Sequence, residues 1–303
     1  MTRAVHAISH TQHVSGTSEL PAGAAQSTPA AAKLGVITLP PSFRSALRSE
    51  LSRAFHPPFE VPLVIIMNAA LVTGAWFLLP RSWFFDFTKS VAFPVALAGW
   101  MYADVPATNV LAPNRIAAIA ALTDSPVTDW QVLRLLRAKL FMLWMLVTPP
   151  ALIVAVITGW HQRHWMLTVG SMVIIAVLPF GVLAPASWVG IRYPYHPRAL
   201  TWRWQQAKTD RRGIVRYTIL VLAPYGVVPA FGWVALIPSG IVWFALGNRL
   251  PFAPIPYWQF AVLVAVICAT AAGMWLWGHR LALRIVKRRR EDLVAYLADP
   301  ERG

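Results

Sequence analysis

Residues 129–159 of the chain read DWQVLRLLRAKLFMLWMLVTPPALIVAVITG. The first part places Arg134, Arg137 and Lys139 among leucines at helical spacing, whereas residues 140–159 contain no charged side chain. Because a helix rises about 1.5 Å per residue, residues 140–159 are long enough to cross about 30 Å of hydrocarbon. This stretch therefore predicts one helix that begins in water and continues through a lipid bilayer.

Similar apolar stretches recur along the rest of the chain, near residues 61–80, 90–112, 166–190, 219–247 and 258–278. Hydrophobic residues make up 57% of the composition and charged residues only 13%, about half of the charged share of an ordinary soluble domain. The sequence therefore predicts an all-α, polytopic membrane protein. We expect about six transmembrane helices, in a transmembrane domain over residues 58–278.

The distribution of Lys and Arg predicts the orientation of these helices. Of the 27 Lys and Arg residues, 23 lie in residues 1–60, 113–139, 191–218 and 279–303. Two apolar stretches separate each of these segments from the next, so all four lie on the same side of a membrane. Cationic loops remain on the cytoplasmic side. We therefore expect a multi-pass protein of the cytoplasmic cell membrane with both termini in the cytoplasm. Residues 1–40 predict a disordered tail, and residues 279–303 predict a basic tail.

The formal net charge of +15 indicates anionic partners. Basic proteins that bind nucleic acid cluster their charge on one folded soluble face, whereas here the charge is spread among loops by the topology. The sequence therefore predicts membrane lipids of the inner leaflet as partners, and no nucleic acid.

Residues 41–57 predict an amphipathic helix ahead of the first apolar stretch. Ser42 is placed as an N-cap, and Pro57 and Pro58 end the helix. The apolar residues of FRSALRSELSRAF, residues 43–55, fall on one helical face and most polar residues fall on the other. This helix is too short to cross a bilayer, so we expect it to lie in the inner membrane interface.

Residues 113–139 predict a helical reversal between the second and third apolar stretches. RIAAIAALT, residues 115–123, forms a short helix that ends at the polar turn 124–126. Thr128 and Gln131 then form a capping box at the start of the next helix. The resulting knob would protrude into the cytoplasm, where it either contacts a soluble partner or simply reverses the chain between two crossings.

The second apolar stretch contains Asp104, the only acid within any of these stretches. An ionisable residue at membrane depth is a candidate for a substrate or proton site, because its burial in lipid is costly. Pro106 allows the span to end early, which would instead place Asp104 at headgroup level. The sequence leaves both placements open.

The fifth apolar stretch contains Pro224, Pro229 and Pro238, and each interior proline removes a helical hydrogen bond. We therefore expect a broken helix there, with a crossing piece and a re-entrant segment before the sixth crossing. Such a segment is suited to a gate or an exit for substrate. The candidates for lining a translocation path are Asp104, Asn109, Tyr225 and Pro229.

The chain lacks the motifs of common catalytic sites. It contains no GxxxxGK[ST] phosphate loop, no HExxH and no GxSxG. His161 and His164 have no neighbouring third ligand, and Cys268 is the only cysteine. The sequence therefore predicts a protein that is not an enzyme, with no catalytic residue, metal site or cofactor of its own.

The order of these features resembles the membrane subunit of type 2 ATP-binding-cassette exporters. The shared features are an amphipathic helix before the first span, a helical reversal between the second and third spans, a proline-rich segment before the sixth span and a basic C-terminal tail. The segment ALTDSPVTDWQVLRLLRAKL, residues 121–140, is the part most similar to that family. The resemblance covers residues 41–303.

This resemblance implies a permease that exports a lipid, glycolipid, peptide or drug-like amphiphile. It also implies two partners: a second permease subunit, as a homodimer or heterodimer, and a cytoplasmic nucleotide-binding ATPase subunit that binds the ATP. The interface helix would then present Arg44, Arg48, Glu50 and Arg53. Coupling to the ATPase would involve Asp124, Ser125, Thr128, Asp129, Gln131 and Arg134.

Two other functions are compatible with the sequence. The chain could be a membrane scaffold or accessory subunit without transport, whose basic tail and N-terminal arm recruit partners. It could also be a membrane-embedded transferase that acts on a lipid-linked substrate. In that case Asp104 would be the base, and the arginines from Arg192 to Arg216 would bind phosphate.

Overall fold

The structure is a computed structural model and describes residues 40–57, 59–78, 92–103, 107, 109–123, 129–196, 211–248 and 255–299. Within these ranges the secondary structure is helical, and no strand is present. Five helical segments are long and apolar enough to cross a membrane: Glu60–Leu78, Asp129–Gln162, Trp165–Arg192, Val221–Ala245 and Tyr257–Arg288. The chain is therefore a helical, multi-pass membrane protein, as the sequence predicts.

The helices follow one another with short connections at several points. They are α1 (Phe43–Ala54), α2 (Glu60–Leu78), α3 (Ala92–Tyr102), α4 (Arg115–Thr123), α5 (Asp129–Gln162), α6 (Trp165–Ala186), α7 (Trp188–Arg192), α8 (Arg211–Ala245), α9 (Tyr257–Arg288) and α10 (Arg290–Ala298). A 3₁₀ turn at Ala112–Asn114 precedes α4. The predicted N-cap of α1 is confirmed, because the Ser42 hydroxyl accepts a hydrogen bond from the Ser45 amide at 3.2 Å.

Helix α6 lies at the centre of the bundle, where it contacts α3, α5, α8 and α9. The main core consists of buried apolar side chains from α2, α3, α5, α6, α8 and α9. Among the most deeply buried are Leu140, Met142, Leu143 and Ile175. In contrast, large apolar side chains cover the outer surface of α2, α5 and α8, such as Ile66, Ile157 and Phe244. An apolar outer surface of this kind is expected where hydrocarbon rather than water surrounds the bundle.

Helices α6 and α9 approach each other closely at two glycines. A Cβ atom on Gly181 would lie 2.8 Å from the Cα atom of Ala271, and a Cβ atom on Gly278 would overlap the backbone of Ala184 and Pro185. Only glycine fits at these two positions, because any side chain would overlap the neighbouring backbone. Close backbone approach of this kind stabilises helix pairs in membranes. The sequence also places four small residues at a spacing of four on α9, but this row lies on another face of the helix, because its members are exposed: Ala261, Ala265, Ala269 and Gly273.

Helices α5 and α9 are longer than a bilayer is thick. With 34 and 32 residues they extend about 50 Å and 48 Å, compared with about 30 Å of hydrocarbon. Their excess length lies at one end of the bundle, where a second core joins the start of α5, the end of α9, α4 and α10. We call this end of the bundle the reversal end, because it contains the helical reversal.

The helix of the second predicted span, near residues 90–112, ends early, and an early end is one of the two alternatives that the sequence leaves open. Helix α3 ends at Tyr102, and its 11 residues extend only about 16 Å, about half of the hydrocarbon thickness. Residues 109–111 have no helical hydrogen bonding, although Val110 and Leu111 are buried in the second core. The break falls immediately before residues 104–106, which lie outside the described residues.

The fifth predicted stretch differs from the prediction. Residues 211–245 form one continuous helix, α8, that contains Pro224, Pro229 and Pro238, so the prediction of a break within them is wrong. A proline costs a helix about 3 kcal/mol, but a break would leave several peptide groups unpaired in hydrocarbon, each costing several kcal/mol. The Ser239 hydroxyl also donates to the Leu236 carbonyl oxygen at 2.7 Å beside Pro238. Residues 249–254 of the predicted re-entrant segment lie outside the described residues.

Helix α9 has one glycine that packs against α6, Gly278, and one that is exposed, Gly273. The two positions allow a matched test of the α6–α9 contact. We expect Gly278→Ala to destabilise the protein by about 1–3 kcal/mol, because the new methyl group meets backbone atoms that cannot move aside easily. Gly273→Ala should be neutral or stabilising by up to about 1 kcal/mol, since nothing lies within 4 Å of a Cβ atom placed there and Ala favours the helix. Thermal unfolding in detergent measures both. Equal melting temperatures for the two variants would contradict the close approach.

Candidate functional site

The break after α3 is held by a polar side chain from α2. The Asn68 side-chain amide donates to the Ala103 carbonyl oxygen at 3.2 Å, which satisfies a backbone acceptor where α3 ends. The Tyr225 hydroxyl of α8 donates to the Asn68 Oδ1 at 2.9 Å. Asn68 is buried, with 4% of its surface exposed. Three segments of the bundle therefore meet through one asparagine.

A pair of hydroxyl groups lies next to the contact between Asn68 and Ala103. The Tyr102 and Thr148 hydroxyl oxygens are 2.6 Å apart, and both side chains are buried. The Thr148 hydroxyl also lies 3.5 Å from the Ile175 carbonyl oxygen of α6. Together these contacts link the end of α3 to α5 and α6. We call Asn68, Tyr102, Ala103, Thr148 and Tyr225 the break cluster.

The break cluster lies well inside the bundle rather than at its surface. Asn68 is eight residues beyond Glu60, the first residue of α2, and therefore about 12 Å along the helix axis. Trp76 and Phe93 pair near the other end of α2 and α3, with ring centroids 5.1 Å apart. Discontinuous helices at such depth are a common setting for substrate sites in membrane transporters, because their free backbone groups can bind polar ligand atoms.

The four predicted path residues have different surroundings. Tyr225 belongs to the break cluster. Asn109 is buried between the break and the reversal end, where its side-chain amide donates to the Tyr195 carbonyl oxygen at 2.9 Å. Pro229 is exposed on α8, so the structure does not bring it to the break cluster. Asp104 lies outside the described residues.

The predicted helical reversal is confirmed on both sides of its turn. Helix α4 occupies residues 115–123 as predicted, and α5 begins at Asp129 and continues without interruption through the predicted third span. Asp129 pairs with Lys287 of α9 at 2.8 Å between Oδ1 and Nζ, and Gln131 is half-buried. The turn itself, with Asp124, Ser125 and Thr128, lies outside the described residues.

The C-terminal helix α10 packs against the reversal. The Arg290 guanidinium donates to the Leu122 carbonyl oxygen at 2.6 Å and to the Thr123 carbonyl oxygen at 3.4 Å. Both carbonyls belong to the last turn of α4, where acceptors have no helical partner and a cation is favourable. Leu293 and Leu297 are completely buried in the second core. The basic tail is therefore not a free extension over residues 290–298.

The segment after α7 also joins this end of the bundle. The His196 ring stacks on the Tyr296 ring with centroids 4.8 Å apart, and its Nε2 lies 2.9 Å from the Tyr296 carbonyl oxygen. The Arg289 guanidinium donates to the Arg192 carbonyl oxygen. Three separate parts of the sequence, near residues 120, 195 and 295, thus form one surface with the reversal.

Helix α1 is fastened to α5 by a buried ion pair. Glu50 and Lys139 each expose 5% of their side chains, and the Glu50 Oε2 lies 3.4 Å from the Lys139 Nζ. The other Glu50 oxygen accepts from Arg53 at 2.9 Å and from Asn114 at 3.2 Å. Arg134 of α5 donates to the Pro40 carbonyl oxygen at 2.5 Å. Of the predicted interface residues, Arg44 and Arg48 are exposed, whereas Glu50 and Arg53 form this network.

The environment of Glu50 favours its charged form. Burial alone raises the pKa of this carboxyl, but the positive charges of Lys139 and Arg53 and the hydrogen bonds from Arg53 and Asn114 outweigh the burial. The pKa of Glu50 therefore lies below the ordinary value of 4.5. At neutral pH the carboxylate is ionised and stabilises the attachment of α1 to α5.

The sequence pattern did not identify several of these residues. Asn68 was visible as a strongly polar side chain in an apolar stretch, but its partner could not be read from the sequence. The apolar spacing of Leu293, Tyr296 and Leu297 was a signal that the tail packs against something. Among the described residues, no group of three His, Cys, Asp or Glu side chains could hold a metal ion.

Removal of one partner of the buried ion pair should lower the stability of the folded protein. We expect Glu50→Gln to destabilise the protein by about 3 kcal/mol, because Lys139 remains buried without a compensating charge. A double variant, Glu50→Gln with Lys139→Met, should recover most of that loss. Thermal unfolding of wild type, Glu50→Gln, Lys139→Met and the double variant forms a double-mutant cycle that measures the coupling. Additive effects of the two changes would show that the pair is not coupled.

The same carboxyl predicts a pH dependence. Because the folded-state pKa of Glu50 is lowered, its stabilisation is complete above the ordinary pKa of 4.5 and is lost as the pH falls through the lowered value. The difference in melting temperature between wild type and Glu50→Gln should therefore be large at neutral pH and shrink well below pH 4.5. A constant difference across this range would contradict the assignment.

The attachment of α10 can be tested by one buried and one exposed position. We expect Leu297→Ala to destabilise the reversal end by about 2–5 kcal/mol, because it leaves a cavity in the second core. Glu291→Gln on the exposed side of α10 should have little effect. Protease cleavage within residues 290–298 measures the detachment. Equal cleavage of Leu297→Ala and wild type would contradict the docking of α10.

Comparisons of the chain with models of known families, with curated proteins and with solved structures find no match.

Proposed function

We propose that the chain is the permease subunit of an ATP-binding-cassette exporter that moves a lipid, glycolipid, peptide or drug-like amphiphile. The observation that carries this proposal is the continuity of α5. One uninterrupted helix starts at Asp129 in the reversal and reaches Thr148, whose hydroxyl contacts Tyr102 at the break of α3. A displacement of the reversal is thereby transmitted along a stiff element to a polar site deep in the bundle.

In this proposal α1 is the interface helix, with Arg44 and Arg48 among the lipid headgroups. The short apolar helix α3 would belong to one further crossing beside the five long helices, so that the chain would cross the bilayer six times. The reversal end faces the cytoplasm, because it contains the segments richest in Lys and Arg. The predicted re-entrant piece then reduces to the connection between α8 and α9.

The reversal would be the contact for the ATPase subunit. The turn with Asp124, Ser125 and Thr128 connects α4 to α5, and its two flanking helices are held by Arg290 and by the Asp129–Lys287 pair. Since α10 and α1 are fastened to the same end, a push on the turn would move them as a unit with α5. ATP would be bound by the partner subunit alone, and a second permease subunit would complete the transport path.

The break cluster would serve as the polar part of the substrate site. Its Asn and Tyr side chains offer hydrogen-bond donors and acceptors within an apolar bundle, a combination that suits an amphiphile. Transport would then require two packings of the bundle that expose this cluster alternately, with ATP-driven motion of the reversal as the bias. Asp104, which directly follows Ala103, is the nearest candidate for a charged group in the path.

The proposal is tested by co-expression of the chain with each phosphate-loop ATPase subunit encoded in the same genome. We expect one ATPase subunit to co-purify in detergent and its hydrolysis rate to change in the presence of the chain. Trp130→Ala, at an exposed position of the reversal, should weaken the complex about tenfold. The matched control is Trp233→Ala on α8, which is similarly exposed and remote from the reversal in sequence.

If no ATPase subunit is retained and no hydrolysis rate responds to the chain, the permease proposal is wrong. If Trp130→Ala and Trp233→Ala weaken a complex equally, the contact does not lie on the reversal. A complex that forms without any effect on hydrolysis would instead favour an accessory subunit or scaffold without transport.

A further inference from the structure

One face of α9 is exposed along almost its whole length and changes character in a regular order. Within the bundle it carries the small residues Ala265, Ala269 and Gly273. One turn further along, Leu276 and Trp277 are 54% and 50% exposed. Arginines follow on the same face. At spacings of three and four residues, these positions lie one above another on the helix surface.

The arginines of this face are Arg280, Arg284 and Arg288, and all three are exposed. Within the described residues none of them forms a hydrogen bond or an ion pair, in contrast to Lys287, Arg289 and Arg290 nearby. As far as the described part of the chain shows, their guanidinium groups are therefore available to an external anion. A guanidinium binds phosphate oxygens in a bidentate manner and favours such a partner over water.

The positions of these residues match the layers of a membrane. Trp side chains favour the boundary between hydrocarbon and headgroups. Trp277 is half-exposed at the point of α9 where arginines begin, so we infer that the boundary lies there. Arg280 and Arg284 follow about 5 Å and 11 Å further along the axis, and a headgroup layer is about 6 Å thick. Arg280 therefore lies at the level of lipid phosphates, and Arg284 can reach that level because its long side chain extends toward the interface.

The small residues of α9 precede the arginines along the helix, and they leave space for an acyl chain beside the bundle. Nothing lies within 4 Å of a Cβ atom placed on Gly273, so the surface there is open. Ala265 and Ala269 continue this low surface over two further turns of the helix. A lipid chain that runs along α9 from Trp277 would meet a shallow strip there.

We propose that this face of α9 is a binding site for one anionic phospholipid. Its headgroup phosphate is held by Arg280 and Arg284, and one acyl chain lies along Gly273, Ala269 and Ala265. The favourable position of cations near a helix C-terminus does not account for Arg280, because that effect is limited to the last turn. The proposal requires only that the chain lies in a bilayer, and it is independent of any ATPase partner.

The site is tested by native mass spectrometry of the full chain in detergent, with dioleoylphosphatidylglycerol and dioleoylphosphatidylcholine as probes. We expect wild type to retain one phosphatidylglycerol molecule in preference to phosphatidylcholine. The double variant Arg280→Gln with Arg284→Gln should lose this preference by at least about fivefold, since each basic residue near an anionic membrane surface contributes favourably. The charge-conserving variant Arg280→Lys with Arg284→Lys should retain most of it.

The acyl-chain part of the site has its own variant. Gly273→Leu adds a large side chain on the exposed strip, and nothing lies within 4 Å of its Cβ position, so we expect the variant to fold and to retain less phosphatidylglycerol than wild type. An unchanged lipid preference in the Gln double variant would overturn the proposal. So would a dimer of the chain that Gly273→Leu converts to a monomer with the lipid preference intact, because the face would then be an interface between two copies.

Discussion

The constraint on which this structure depends is that every peptide group within the bilayer needs a hydrogen-bond partner in the protein. Helices α2, α5, α6, α8 and α9 meet most of this requirement through their own backbone, although each interior proline of α5, α6 and α8 removes one helical hydrogen bond. Even three prolines do not interrupt α8, because the cost of a proline is smaller than the cost of a broken helix in hydrocarbon. Helix α3 is the exception, and Asn68 supplies the partner for the Ala103 carbonyl that its ending exposes.

That exception connects two parts of the molecule. The break cluster includes Thr148 in the middle of α5, and the start of α5 lies in the reversal, which the second core joins to α4, α9 and α10. The buried Glu50–Lys139 pair adds α1 to the same assembly. Separation of the two helices would leave one of these charges buried without its partner, so the pair opposes movement of α1 away from α5. The reversal end is therefore one packed unit that includes the start of α5.

Much of the fold followed from simple patterns in the sequence. Residues 115–123 and 129–159 were predicted as helices because their caps, apolar spacing and length all indicate the same structure, and the structure confirms both. The sequence predicted a broken helix at residues 219–247, where the prolines are, and left an early end of the second span open. In the structure α8 is unbroken, and α3 ends at Tyr102. Proline content measures only the local cost of a helix. Whether a helix breaks depends on which neighbouring side chain can satisfy the freed backbone, and that neighbour is distant in sequence.

The sequence by itself determined that this chain is helical and lies in a membrane, because length and hydropathy decide which segments lipid can surround. It also determined the reversal and the amphipathic helix, since caps and periodicity act between near neighbours. Only the tertiary structure decided which face of α9 packs against α6 and which is exposed, because both faces contain small residues. It alone brought Asn68 to Ala103, Glu50 to Lys139 and Arg290 to the end of α4, since these contacts join residues far apart in the chain whose pairing no local pattern encodes.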